Sequence, residues 1–181
     1  MTNTTNETIE QETLHWVTNF IVKHNICPFA KHVLNNQSLK IQVNPTADEC
    51  LALESIMSTL KLMDKSPAIE TLLLVFPQLF NDFFDYLGFV DWAEAHMHRA
   101  GYEGIYQIAT FHPQYCFEGE PADAMSNYTN RSPYPMVHIL REESLDKAIA
   151  FYGDTSQIPA TNIATLNNLS LEEVLGLSKT P

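Results

Sequence analysis

A run of apolar residues near the middle of the chain limits the folds that are open to it. Residues 71–76 (Thr-Leu-Leu-Leu-Val-Phe) are apolar at nearly every position and are followed by Pro77. Because successive side chains of a strand point to opposite faces, this run predicts a strand that is buried on both faces. Such strands are typical of the centre of a parallel sheet.

Strand and helix patterns alternate on either side of this run. Residues 39–43 alternate apolar and polar side chains, as a half-exposed strand does. Further strands are predicted over residues 105–111 and 136–141. Helices are predicted over residues 8–24, 27–34, 46–63, 79–99 and 144–152, and from Pro159 and Ser170 onward. Alternating strands and helices favour right-handed crossovers, so we expect an α/β fold with a mostly parallel sheet of about four strands, crossover helices and extra N- and C-terminal helices.

Several helix boundaries are predicted from local signals. The residues placed at helix starts are Thr46 with Glu49, Ser144, and Ser170 with Glu173, together with Pro28 at a first helical position. Gly88 is expected to interrupt the helix over 79–99, and Gly101 is expected to end it. The 181 residues suit one domain. We expect a flexible N-terminus at residues 1–11, a single α/β domain at 12–168 and a C-terminal tail with a short helix at 169–181.

Charge and cysteine content narrow the classes of partner. Lys and Arg total 10 against 22 Asp and Glu, which gives a net charge of −12 without a basic cluster. Nucleic acid and anionic membranes are therefore poor partners, and no apolar run approaches the ~18 residues of a membrane span. The three cysteines and the lack of a signal peptide predict a soluble protein in the reducing cytoplasm. In such an acidic chain, a lone Arg131 within an uncharged loop stands out.

The connection over residues 112–134 is the main candidate for a functional site. Long connections in small domains are usually functional or disordered, and the aromatic content of this one predicts order. Its first residue, His112, follows a strand and precedes the stiff Pro113. Ligands of open α/β sheets bind beyond the carboxyl ends of strands, so His112 is the candidate catalytic acid or base. The alternative is that His112 only caps the strand by a hydrogen bond.

The second half of the same loop is rich in hydrogen-bonding side chains. Residues 126–130 carry hydroxyl, phenol or amide groups, and the planar guanidinium of Arg131 suits a carboxylate or a phosphate. The candidate ligand-binding residues are Tyr115, Asn127, Tyr128, Asn130, Arg131 and Ser132. They predict a site in residues 112–133 for a small anionic ligand. The alternative is a loop whose polar side chains bond only to nearby backbone.

A metal or redox site is a separate hypothesis. His112 and His138 with one carboxylate (Glu118, Asp123 or Glu142) have the composition of a two-histidine, one-carboxylate metal site. Cys27 is predicted at a helix N-terminus, where the dipole lowers a thiol pKa, so a redox or haem role is the related alternative. No H-E-x-x-H or C-x-x-C motif supports these sites, and phosphate-binding glycine loops and the G-x-S-x-G elbow are missing. The cofactor, if any, is unknown.

Several motifs together resemble a known family. They are Cys27-Pro28-Phe29-Ala30, the strand at 71–75, Phe111-His112-Pro113, and the run from Asn127 to Pro135 with His138, Arg141 and Glu142. In combination, from about residue 12 to 168, they resemble a family of bacterial proteins catalogued as domain of unknown function fourteen-fifteen. The resemblance implies one globular cytosolic domain and supplies no substrate, cofactor or catalytic residue.

We therefore expect a small-molecule enzyme or ligand-binding domain that recognises an anionic group. The alternatives are a metal-, haem- or redox-active protein, and an interaction or regulatory domain that presents the loop to a partner. The oligomeric state stays open.

Overall fold

The apolar run at the middle of the chain forms one of the two inner strands of a four-stranded sheet. In the computed structural model, which describes residues 5–178, β2 (Thr71–Val75) is buried at all five positions. It lies between β1 (Leu39–Val43) and β4 (Met136–Arg141), and β3 (Tyr106–Phe111) forms the edge beyond β4. The strand order is therefore β1-β2-β4-β3.

The sheet is mixed, so the expectation of a mostly parallel sheet is wrong. β1 and β2 pair in parallel, whereas β4 pairs antiparallel with both β2 and β3. Phe111, the last residue of β3, is paired with Met136, the first residue of β4. The loop at 112–135 therefore begins and ends at the same end of the sheet, where β3 stops. Because β4 starts at that end, it runs antiparallel beside β3. The carboxyl ends of β1, β2 and β3 still share one end of the sheet with this loop.

Helices cover both faces of the sheet. The described residues contain α1 (Asn6–Trp16), α2 (Ala30–Asn35), α3 (Glu49–Lys65), α4 (Phe83–Arg99), α5 (Glu142–Tyr152), α6 (Ile158–Asn167) and α7 (Leu171–Ser178). A π-helical segment, Val17–Val22, continues α1, and a short 3₁₀ helix, Met125–Thr129, lies within the long loop. None of the helices in residues 5–178 combines the length and the apolar character needed to cross a bilayer.

Two cores form on the two faces because β2 is apolar on both. Leu72 and Leu74 belong to the core that α3 and α4 cover, while Leu73 and Val75 belong to the core that α1, the π-helical segment, α6 and α7 cover. Burying one such side chain contributes roughly 1.5–3 kcal/mol. The run is apolar because helices cover both faces of β2, and not because the neighbouring strands are parallel.

The first helix begins inside the segment that was expected to be flexible. Thr5 is its cap, since its hydroxyl accepts a hydrogen bond from the backbone N–H of Thr8 at 3.2 Å. Ile9 is 4% exposed and packs in the second core. Residues 6–11 are therefore helical, and the rest of the predicted flexible segment, residues 1–4, lies outside the described residues.

Three predicted helix starts are corrected by the structure, and a carboxylate caps two of these helices. The carboxylate of Asp48, not Thr46, accepts the first-turn N–H of α3, from Leu51 at 3.0 Å. The carboxylate of Asp82 accepts from Phe84 and Asp85 at 2.8 and 3.1 Å, so α4 begins at Phe83 and continues unbroken through Gly88. α5 begins at Glu142, directly after β4, and not at Ser144. The predicted end of α4 is confirmed, because Gly101 has a φ of 84° just after it.

The last helix has the capping box that its sequence predicts. The N–H and hydroxyl of Ser170 donate to the carboxylate of Glu173 at 2.7 and 2.8 Å, and the N–H of Glu173 donates back to Ser170 at 3.2 Å. Val174, only 1% exposed, fixes the helix in the second core. α7 consequently packs over the same end of the sheet as the loop at 112–135.

Candidate functional site

A cavity of about 470 Å³ lies between the long loop and the helices at the two ends of the chain. This volume falls within the range of small-molecule pockets. The loop contributes Pro113, Tyr128, Arg131, Ser132, Pro133 and Tyr134. The opposite wall consists of Glu12 from α1, Phe20 from the π-helical segment, and Val174 and Leu175 from α7.

Arg131 is a fixed cation at the wall of this cavity. Its Nε donates to the carbonyl of Tyr115 at 3.0 Å, and its Nη2 donates to the carbonyl of Ala122 at 2.6 Å. The guanidinium carbon lies 4.6 Å from the centre of the Tyr128 ring, a favourable cation–π distance. Within residues 5–178, no carboxylate forms an ion pair with Arg131. Its charge is therefore held in place, and no carboxylate of the described residues neutralises it.

Asn127 and Asn130 shape the loop and do not line the cavity. Asn127 is fully buried; its Oδ1 accepts from the N–H of Phe117 at 2.9 Å, and its Nδ2 donates to the carbonyl of Pro121 at 2.8 Å. The Nδ2 of Asn130 donates to the carbonyl of Thr110 at 3.0 Å. For these two residues the structure matches the alternative of a loop that satisfies its own backbone.

The remaining predicted ligand-binding residues divide between loop and cavity. The ring of Tyr115 packs 5.0 Å from those of Phe83 and Phe117, in the core of α3 and α4. Ser132 lines the cavity, although its hydroxyl donates to the carbonyl of Tyr134 at 2.6 Å. Of the six predicted residues, Tyr128, Arg131 and Ser132 thus reach the cavity, while the other three support the loop.

His112 lies behind the cavity wall. It is 1% exposed, and its ring packs 5.3 and 5.2 Å from those of Phe83 and Tyr86. Nε2 lies 2.8 Å from the carbonyl of Phe80 and Nδ1 lies 3.0 Å from the N–H of Gln114. These partners require a neutral ring that donates through Nε2, and burial lowers the pKa of His112, which favours the same state.

This geometry does not bring His112 and Arg131 together around one ligand. Both nitrogens of His112 are engaged by backbone, as in the strand-cap alternative, and only the adjacent Pro113 reaches the cavity. Phe80, whose carbonyl accepts from His112, has a φ of 62°. This left-handed conformation is uncommon for a residue other than glycine.

The structure contradicts the His112, His138 and Glu142 metal site. His138 shares the face of Met136 in the second core, whereas His112 packs against α4 on the opposite face. Glu142 begins α5 at the far end of β4. The alternative carboxylates, Glu118 and Asp123, are exposed on the loop. Across residues 5–178, no three His, Cys, Asp or Glu side chains are grouped as a metal ion would require.

Cys27 is also placed differently from its prediction. α2 begins at Ala30, so the thiol lies in the turn before the helix, packed against the second core. Burial raises the pKa of Cys27, and this effect exceeds the opposite influence of the N–H groups of Phe29 and Ala30. The predicted lowering of the thiol pKa is therefore wrong.

Glu12 and Tyr134 are cavity residues that the sequence did not reveal. The hydroxyl of Tyr134 donates to the carboxylate of Glu12, 122 positions away in the chain. Burial and this hydrogen bond raise the pKa of Tyr134. One feature of the sequence could have indicated Glu12. It lies on the same face of α1 as the buried Ile9, Thr13 and Trp16, where a carboxylate is unusual.

The comparisons with known proteins place the chain in a family. A family model described as "Protein of unknown function (DUF1415)" matches residues 8–175, and the chain therefore belongs to this family. The match confirms the resemblance of the sequence motifs. Neither the curated proteins nor the solved structures contain a significant match to the chain.

Proposed function

We propose that this member of the DUF1415 family binds a small molecule that carries a carboxylate or a phosphate, with the anionic group at Arg131. The observation that carries the proposal is an arginine, Arg131, that lines a cavity of about 470 Å³ and has no carboxylate partner in the described part of the chain. Its Nη1 has no hydrogen-bond partner among those residues and is available to a ligand.

The surroundings of Arg131 favour binding because the side chain is already ordered. Two backbone carbonyls and the ring of Tyr128 hold the guanidinium. The entropy of fixing a long side chain is therefore lost during folding and not during binding. A chain with a net charge of −12 repels anions in general, so a fixed local cation is what makes one small anion bind at this place.

We assign His112 a positioning role in this site. Its neutral ring connects the carbonyl of Phe80 to the N–H of Gln114 and so holds the turn that carries Pro113 to the cavity. This role needs no proton transfer from His112 and differs from the acid–base role that the sequence predicts.

The experiment is a binding titration with matched charged and neutral probes. Calorimetry would compare phenylacetate, hexanoate and phenyl phosphate with phenylacetamide, on the wild type and on Arg131→Gln. We expect an anion to bind at least about tenfold more tightly than the amide, and Arg131→Gln to remove this difference. Arg99→Gln, an exposed residue in α4, makes the same change of charge away from the cavity and should have no effect.

A second measurement covers the case in which Arg131→Gln disturbs the loop. On the wild-type protein, an added anion should shift the methyl NMR signals of Val174, which lines the cavity, and leave those of Leu60, in the opposite core, unchanged. If no anion binds, or if binding leaves the Val174 signals unmoved, the proposal is wrong.

A further inference from the structure

The cavity has a second charge, opposite in sign to that of Arg131. Glu12 lines the same cavity, and its carboxylate accepts a hydrogen bond from Tyr134 through Oε2. Its Oε1 has no hydrogen-bond or ion-pair partner among residues 5–178. Glu12 and Arg131 do not pair with each other, so each presents an unneutralised charge to the same space.

We infer that the ligand is a zwitterion of the amino-acid class, with its carboxylate at Arg131 and its ammonium group at Glu12. The inference rests on the proposed anion site and adds a second contact to it. Carboxylate and guanidinium match as a planar pair of hydrogen-bonding groups, and an ammonium group donates to the free oxygen of a carboxylate.

The pair of charges disfavours simpler ligands. A molecule with only an anionic group meets the repulsion of Glu12, and an amine without an anionic group meets the repulsion of Arg131. A phosphate dianion meets the stronger repulsion from Glu12. A zwitterion satisfies both charges and has no net charge, so the overall charge of −12 does not oppose its approach.

The rest of the lining indicates an apolar side chain on this ligand. Phe20, Val174 and Leu175 face the cavity from the helical side, and Pro113 and Pro133 face it from the loop. Burial of apolar ligand surface against such a wall is favourable. Leucine, methionine and phenylalanine are free amino acids with this combination of groups.

The test compares each amino acid with analogues that lack one charge. Calorimetric titrations would use leucine, methionine and phenylalanine, together with 3-phenylpropionate, which lacks the ammonium group, and phenethylamine, which lacks the carboxylate. We expect at least one amino acid to bind about tenfold more tightly than either single-charge analogue. Glu12→Gln, which keeps an acceptor for Tyr134, should reduce this preference to about twofold or less. Glu10→Gln, an exposed neighbour in α1, should leave it unchanged.

The outcomes separate this inference from the proposed function. If 3-phenylpropionate binds as tightly as phenylalanine and its binding depends on Arg131, the zwitterion inference is wrong while the anion site stands. If Glu12→Gln leaves the preference intact, the ammonium contact is wrong. If none of the amino acids or single-charge analogues binds, the inference is overturned, and the phosphate and hexanoate titrations decide the anion site separately.

Discussion

The imidazole of His138, a half-buried residue of β4, should make the stability of the protein fall as the pH drops below neutrality. His138 lies in β4 with its Nε2 in a hydrogen bond to the hydroxyl of Thr71 and its ring 5.9 Å from that of Phe111. Burial lowers the pKa of His138 from 6.5 to about 4. In the unfolded chain the same ring is solvated and titrates near its ordinary value of about 6.5.

The sign and size of the effect follow from this difference. Between pH 6.5 and about 4 the unfolded state binds a proton that the folded state does not, so acidification favours unfolding. The stabilisation is complete above the unfolded pKa and is lost as the pH falls towards the folded pKa. One pKa unit corresponds to about 1.4 kcal/mol, so the full difference amounts to about 3 kcal/mol.

Urea unfolding at several pH values between 7 and 4 measures the effect. The free energy of unfolding of the wild type should fall more steeply than that of His138→Gln, which removes the titrating ring and keeps hydrogen-bonding groups. Burial also lowers the pKa of His112, which contributes in the same direction, so the difference between the two proteins isolates His138. His98→Gln, an exposed control in α4, should retain the wild-type slope. Equal slopes for the wild type and His138→Gln would refute the reasoning.

Three further predictions concern the loop, the thiols and the cavity wall. Asn127→Ala removes the side-chain hydrogen bonds to Phe117 and Pro121 and should lower the unfolding free energy by about 2–4 kcal/mol in urea titrations, whereas the exposed Asn81→Ala should change it by less than about 0.5 kcal/mol; equal effects would contradict the role of Asn127. Cys27, half-buried and with a raised pKa, should react with a disulfide reagent about tenfold or more slowly than the exposed Cys50, as peptide mapping of the labelled protein would show, and the reverse order would contradict the burial argument. Tyr134→Phe removes the hydrogen bond to Glu12 and should lower the free energy of unfolding by about 1.5–3 kcal/mol, measured by thermal unfolding. An unchanged melting curve would exclude this contribution.

The elements of the fold were predictable because their patterns are local. The alternation in β1, the apolar run of β2 and the glycine after α4 each depend on a few neighbouring residues, and all three lie where they were expected. The direction of β4 was not predictable in this way. It depends on where the loop at 112–135 returns the chain, and that path is determined by contacts such as those of Asn127 and Arg131 within the loop.

The segment in which the sequence predicts a site supplies part of the cavity lining, and only some of the predicted residues reach the cavity. Arg131, Tyr128 and Ser132 line the cavity. The side chains of His112, Asn127 and Asn130 instead form hydrogen bonds with backbone groups. A polar side chain in a loop has the same appearance in the sequence whether its partner is a ligand or a carbonyl group. Glu12 was missed because its place in the site depends on α1 packing beside a loop more than a hundred residues further along the chain.

The position of β4 in the sheet has a consequence for how the protein is made. β4 is the last strand to leave the ribosome, yet it lies between β2 and β3 and pairs with both. Until it emerges, β2 can pair only with β1, and one edge of this largely apolar strand stays open. Open apolar edges are sites of aggregation, so the nascent chain should depend on rapid synthesis of residues 112–141 or on a chaperone that covers this edge.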